Sequence, residues 1–167
     1  MRFDPAVHRE KPRPRQVLTY SRSVHIDRPA EEVLAFCLQA HSFRSILPFR
    51  IEPARDTDEL SGRVDHVYPF NLRFGPAWLR WEAHIVEQEE EYFVDRLLHG
   101  PMRWWLHEHH CVPEGEGCRY TDRVEYRSSR LLIVDRTVTA PMMDRLFRYR
   151  QRRMKELLDR HGGDGGV

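Results

Sequence analysis

The chain has 167 residues, 40% of them hydrophobic and 32% charged, and Lys plus Arg (27) nearly balance Asp plus Glu (26) for a net charge of +1. One globular domain with a substantial core follows, without the basic excess of a nucleic-acid binder. No run of 18 apolar residues, no signal-peptide core in MRFDPAVHREKPRPRQ and only three cysteines (Cys37, Cys111, Cys118) are present, so a membrane span, export and a disulfide or zinc-finger framework are not expected, and the setting is read as cytoplasmic with reduced thiols.

Residues 1–16 are rich in Pro and Arg without periodicity and read as a flexible arm; 161–167, ending in GGDGGV, read as a flexible tail, leaving 17–160 as the domain. LTYSRSVHI (18–26) alternates like a strand. DRPAEEVLAFCLQA (27–40) opens with Asp27 and a proline, followed by two glutamates, and carries Val33, Leu34, Phe36, Cys37 and Ala40 on one helical face. HSFRSILP (41–48) reads as a second short helix stopped at Pro48. Six strand-like segments follow, at 50–56, 63–70, 78–87, 92–99, 102–112 and 117–127, separated by DTDELSG, FGP, QEEE, HGP and PEGEG. Short connections imply antiparallel pairing. A long helix begins near Pro141, with Met143, Leu146, Phe147, Met154, Leu157 and Leu158 in one stripe; 131–140 fits either an earlier helical turn or a strand-like extension. The cations Arg145, Arg148, Arg150, Arg152, Arg153 and Lys155 read as its solvated face. The fold class is thus α+β: a curved seven-stranded antiparallel sheet wrapped around the terminal helix, with two short helices after the first strand.

Strand alternation assigns faces. In RYTDRVEYR (119–127), Arg119, Thr121, Arg123, Glu125 and Arg127 face water, so Tyr120, Asp122, Val124 and Tyr126 face inward. With PEGE (113–116) as the turn, Cys111 opposes Cys118, His109 opposes Tyr120, His107 opposes Asp122 and Trp105 opposes Val124. Trp81 points inward from 78–87, and Phe93 and Asp95 from 92–99; His84 and His99 read as surface or loop residues. Trp104 and Leu106 fall on the outer face, which fits a homodimer contact or a seat for the arm.

The run FVDRLLHGPMRWWLHEHHC followed by YTDRVEY resembles the signature of the SRPBCC superfamily, the START-related helix-grip group that includes polyketide cyclase/dehydrase-like and lipid-transfer proteins. The positions that carry the resemblance are Phe93, Asp95, Gly100, Pro101, Trp105, His107, His109, Asp122, Val124 and Tyr126. YSRSVHIDRPAEEVLAF resembles the family's first strand and helix, and FRYRQRRMKELL its closing helix, so the resemblance spans about 18–160. Cys111 and Leu97 depart from it, standing where a large aromatic and a polar residue are expected. The resemblance implies the helix-grip fold with a cavity between sheet and helix.

The expected site places Asp95, His107, His109 and Asp122 at the polar end of that cavity, walled by Trp81, Phe93, Trp105, Tyr120, Tyr126, Met143 and Phe147. Three roles suit these four polar groups: a self-satisfied buried network, an anchor for the polar end of an apolar ligand, or a His-x-His plus Asp metal site. The reading adopted is a non-catalytic binding or carrier module for a small hydrophobic or amphipathic molecule (lipid, isoprenoid or polyketide-like), without cofactor or metal. The alternative is a cyclase, dehydratase or isomerase using the same four residues as catalytic groups; a metal-dependent enzyme is the second alternative.

Overall fold

The computed structural model describes residues 13–53, 64 and 66–160. The first twelve residues of the expected arm, the tail from 161, the DTDELSG break and the ends of two expected strands (54–56 and most of 63–65) lie outside that set. The elements run β1 (Leu18–Ile26), α1 (Ala30–Cys37), α2 (Ala40–Ser45), β2 (Arg50–Pro53), β3 (Val67–Phe74), β4 (Ala77–Gln88), β5 (Tyr92–His99), β6 (Trp104–Glu114), β7 (Gly117–Arg127), α3 (Leu132–Val134), a π-helical turn (Asp135–Thr139) and α4 (Ala140–Arg160). All seven strands form one open antiparallel sheet in the order β1-β7-β6-β5-β4-β3-β2. The expected architecture is present: one sheet, one long terminal helix and two short helices after β1.

Two apolar clusters lie between sheet and helices. Ile26, Val33, Ile46, Phe93, Cys111, Cys118, Tyr120, Met154 and Leu158 join α1 and the end of α4 to one end of the sheet. Leu97, Met102, Trp105, Val124, Tyr126, Met143 and Phe147 join the start of α4 to the other. The spacing of Met143, Phe147, Met154 and Leu158 keeps all four on the sheet-facing side of α4, each no more than 8% exposed. β4 carries register shifts between Glu82 and Ala83 and between Ile85 and Glu87. Such bulges bend a sheet locally, and this one sits where Ile85 pairs with Asp95.

The structure decides four local points against or among the expectations. The β6–β7 turn lies further along the chain: Glu114 pairs with Gly117, so Cys111 opposes Tyr120, His109 opposes Asp122, His107 opposes Val124 and Trp105 opposes Tyr126. Gly115, at φ +64°, makes a tighter turn than PEGE. The slip is two residues, which preserves the faces, because side chains alternate with period two. Cys111 and Cys118 therefore still touch, diagonally and fully buried, with Sγ atoms 3.0 Å apart. Gly117 is required for a different reason: a Cβ there would stand 2.2 Å from the Ile26 carbonyl oxygen of β1.

The second is the start of the closing helix, where the structure takes the helical one of the two readings. Residues 132–139 are helical, and the π-turn immediately precedes Pro141, with the Ala140 N–H donating to the Asp135 carbonyl. Proline offers no N–H and its ring crowds the carbonyl four residues back, so a wider turn relieves the clash. Third, Arg127 is not in water: it is 7% exposed, pairs with buried Asp135 at 3.1 Å and donates to the carbonyls of Ser129 and Arg130. Fourth, Trp104 on the outer face is buried (6% exposed), with the Arg96 guanidinium 4.8 Å above its ring. Asp27, expected at the start of α1, reaches Lys155 of α4 at 3.2 Å, while Pro29 takes the N-cap position.

Candidate functional site

Between the two apolar clusters, β5, β6 and β7 bring their inward polar residues against α4. His107 Nε2 stands 2.9 Å from Asp122 Oδ1, and His109 Nε2 stands 2.8 Å from Asp95 Oδ2. His109 Nδ1 lies 2.8 Å from the Tyr120 hydroxyl, which donates to Asp122 Oδ1 at 2.8 Å. The rings of His107 and His109 lie 3.8 Å apart, two residues apart on one face of β6, and His109 stacks on Phe93 at 3.9 Å. α4 closes the network. Arg150 Nη2 donates to Tyr120 Oη at 3.0 Å and reaches His109 Nδ1 at 3.2 Å; Gln151 donates to Asp122 Oδ2 at 2.9 Å and to the Arg22 carbonyl at 2.8 Å.

Neither Arg150 nor Gln151 was expected inside. Arg150 is 4% exposed and Gln151 2%, so Arg150 does not belong to the solvated face. The signal was available: a helical stripe through Phe147 and Met154 passes over positions 150 and 151.

The electrostatics follow from this packing. Burial raises the Asp122 carboxyl, but Arg150 at 3.6 Å and the His107 hydrogen bond outweigh it and hold the group well below the usual carboxylate range. Asp122 is thus a buried anion with His107, Tyr120 and Gln151 as donors. Burial pushes Asp95 up against the pull of His107 and Arg150, and pushes His109 well down, helped by the charges of His107 and Arg150. Two proton arrangements satisfy the remaining contacts. In one, His109 Nδ1–H donates to Tyr120 and a protonated Asp95 donates to Nε2. In the other, Arg150 donates to Nδ1 and Nε2–H donates to the Asp95 carboxylate. Each places one proton between Asp95 and His109, and the first leaves Asp95, Asp122 and Arg150 together uncharged.

A cavity of about 170 Å³ opens beside this network. Asp95, His107, His109 and Arg150 form its polar wall, with Trp81, Phe93, Trp105 and Phe147 around them. The far end is built by Phe43 of α2, Leu47, Phe49, and Tyr68, Phe70 and Leu72 of β3, with Ala83 and Ile85 of β4 between. Of the residues singled out in the sequence, Tyr120, Asp122, Tyr126 and Met143 do not line it. They are buried behind the wall, at most 2% exposed. The lining from α2 through β3 was not expected, and no single one of those segments is long enough to announce a shared surface.

Neither a protein-family model nor a curated protein sequence matches the chain. Solved structures do. The Zhui aromatase/cyclase from a Streptomyces species superposes with a TM-score of 0.72 at 12% identity, over 91% of this chain and 100% of that one. Norcoclaurine synthase from Thalictrum flavum, in complex with dopamine and hydroxybenzaldehyde, gives 0.61 at 15% identity over 87% and 88%. A major latex-like protein from Panax ginseng gives 0.62 at 15% identity over 85% and 97%. The chain has the helix-grip fold that these structures share. Identities this low establish the fold and leave activity to the site. Among the described residues, no helix is long and apolar enough to cross a membrane.

Proposed function

We propose that this helix-grip domain binds a small aromatic molecule in the cavity, with a hydroxyl or carbonyl group of that molecule against Asp95, His107 and His109. The observation that carries the reading is the division of the cavity wall: hydrogen-bonding groups converge at one end and aromatic side chains supply the rest. Size narrows the ligand class. An apolar cavity of about 150 Å³ takes up a benzene ring, whereas drug-sized pockets begin at about 300 Å³. A volume of about 170 Å³ therefore suits one substituted ring better than a long acyl chain. Aromatic compounds in a structural neighbour, dopamine and hydroxybenzaldehyde in norcoclaurine synthase, agree with that class.

One observation favours a second reading, proton transfer to or from the bound molecule. Both imidazoles line the cavity while Asp122 and Tyr120 lie behind them, and Asp95 keeps 16% of its side chain exposed. An Asp–His pair sharing one proton at the edge of a cavity suits general acid–base chemistry, the kind a cyclase or dehydratase needs. Binding comes first in either case.

Trp81 and Trp105 report on occupancy, because both line the cavity. Titration with substituted phenols and hydroxybenzaldehydes is expected to quench tryptophan emission saturably. Ala83→Phe, which fills the middle of the cavity, is expected to abolish the effect while the circular dichroism spectrum stays unchanged. Equal quenching in wild type and Ala83→Phe would overturn the proposal.

A further inference from the structure

We infer that Asp95, His107 and His109 form a binding site for a divalent first-row transition metal ion, with three protein ligands on one side and the cavity on the other. The ligand atoms of these three residues lie within 4.8 Å of one another. Asp95 Oδ2 stands 2.8 Å from His109 Nε2 and 3.5 Å from His107 Nδ1. Two atoms bound ~2.1 Å from one metal stand ~3.0 Å apart at a right angle and ~3.4 Å apart at the tetrahedral angle. The two separations from Asp95 bracket those values; a pair as wide as the 4.8 Å limit of the set must close below ~4.2 Å, the span of two atoms each ~2.1 Å from the metal, by side-chain rotation.

The partners behind the ligands are a second, independent observation. Each imidazole offers one nitrogen to the site and has the other held from behind: His107 Nε2 by Asp122 at 2.9 Å, His109 Nδ1 by the Tyr120 hydroxyl at 2.8 Å. Metal-binding histidines are oriented in this way, by a carboxylate or other acceptor on the distal nitrogen. Asp122 and Tyr120 are both fully buried, so the groups behind the imidazoles are fixed by the core rather than by solvent, and a metal on Nε2 selects the arrangement in which His109 Nδ1–H donates to Tyr120.

Ligand chemistry selects the ion. Two imidazoles and one carboxylate suit zinc or iron(II), not calcium or magnesium, and open positions on one side are what a two-histidine, one-carboxylate site leaves for another ligand. Cys37 also lines the cavity, but its thiol is turned to Met154 Sδ at 3.6 Å and burial pushes it up to about 11, so no thiolate joins the set. Arg150 is an adverse charge, and Asp122 faces it at 3.6 Å. With Asp95 and Asp122 ionised, a divalent ion leaves the cluster at one net positive charge. An anionic oxygen entering from the cavity neutralises it. The site therefore prefers a ligand presenting a phenolate, enolate or carboxylate.

Metal binding does not need the organic molecule, so it is tested without one. Chelator-stripped protein is titrated with cobalt(II), followed by its visible ligand-field bands, and then with zinc(II). The expected result is saturation at one equivalent, displacement by zinc, and affinity at least ~10-fold weaker in Asp95→Asn and about 10-fold weaker in Tyr120→Phe, which loses the hydroxyl behind His109. Circular dichroism confirms that both variants are folded. Absence of saturable bands in wild type, or equal affinity in wild type and Asp95→Asn, overturns the inference. Either failure leaves phenol binding by stripped protein untouched, and a failure of phenol binding leaves the cobalt result standing.

Discussion

The two ends of the cavity are built on opposite principles. At the polar end, three neighbouring strands and α4 supply groups that answer one another: Asp122 alone accepts from His107, Tyr120 and Gln151 and faces Arg150. At the far end, Phe43, Leu47, Phe49, Phe70 and Leu72 come from short elements and meet only through apolar contact, as in the edge-on approach of Phe43 and Phe70 at 5.2 Å. A hydrogen-bonded network in a low-dielectric interior fixes geometry tightly, and losing one member strands the rest. Apolar contacts are non-directional and degrade gradually. The polar end is thus suited to orienting a ligand, and the apolar end to setting how large a ligand fits.

The sharpest way to break this contrast is Arg150→Met. It leaves Asp122 a buried anion without its cation, and a loss of about 3–5 kcal/mol is expected in chemical denaturation. Adding Asp122→Asn should restore part of that loss, because the stranded charge goes with it. Tyr120→Phe comes next, at about 1–3 kcal/mol, since Asp122 loses a donor and Arg150 an acceptor. At the other end Phe43→Ala should cost about 1–2 kcal/mol, because the ring is only half-buried, and should extend phenol binding to larger rings. If Phe43→Ala proves more damaging than Arg150→Met, the division of labour is wrong.

Of the two ends, acid should act on the polar one. His109 is held neutral in the fold, so below about pH 6.5 the unfolded chain takes up a proton that the fold refuses, and stability falls. Asp122, held ionised, adds a further loss below about pH 4. Asp95 works the other way, its raised carboxyl gaining a proton earlier in the fold, and offsets part of the decline. Denaturation midpoints measured from pH 8 to pH 3 should therefore drop below about 6.5 in wild type and less steeply in His109→Gln. The smallest stability effect belongs to Asp95→Asn, below about 1 kcal/mol, because that side chain borders the cavity.

The polar end was largely legible in the sequence, and the apolar end was not. Alternation along β5, β6 and β7 places Asp95, His107, His109 and Asp122 on one face from the sequence alone, and this survives a register misplaced by two residues because two is the period of a strand. Trp81, Phe93, Trp105 and Phe147 reached the cavity wall by the same reasoning. Tyr120, Asp122, Tyr126 and Met143 share the inward face but lie too deep to touch the cavity, a matter of depth that periodicity does not encode. Arg150 was misread because residue type was weighed above position: a cation in an Arg-rich helix suggested solvent, whereas its place in the stripe of Phe147 and Met154 put it in the core. The far end depends on how α2, β2 and β3 fold over β4, a set of tertiary contacts that short segments do not announce locally.

The central claim, that the cavity holds a small aromatic molecule against its polar wall, is tested most directly by native mass spectrometry of wild type and Ala83→Phe incubated side by side with hydroxybenzaldehyde. A one-to-one adduct on wild type that is absent from Ala83→Phe is the expected result. No adduct on wild type, or the same adduct on both, would contradict it.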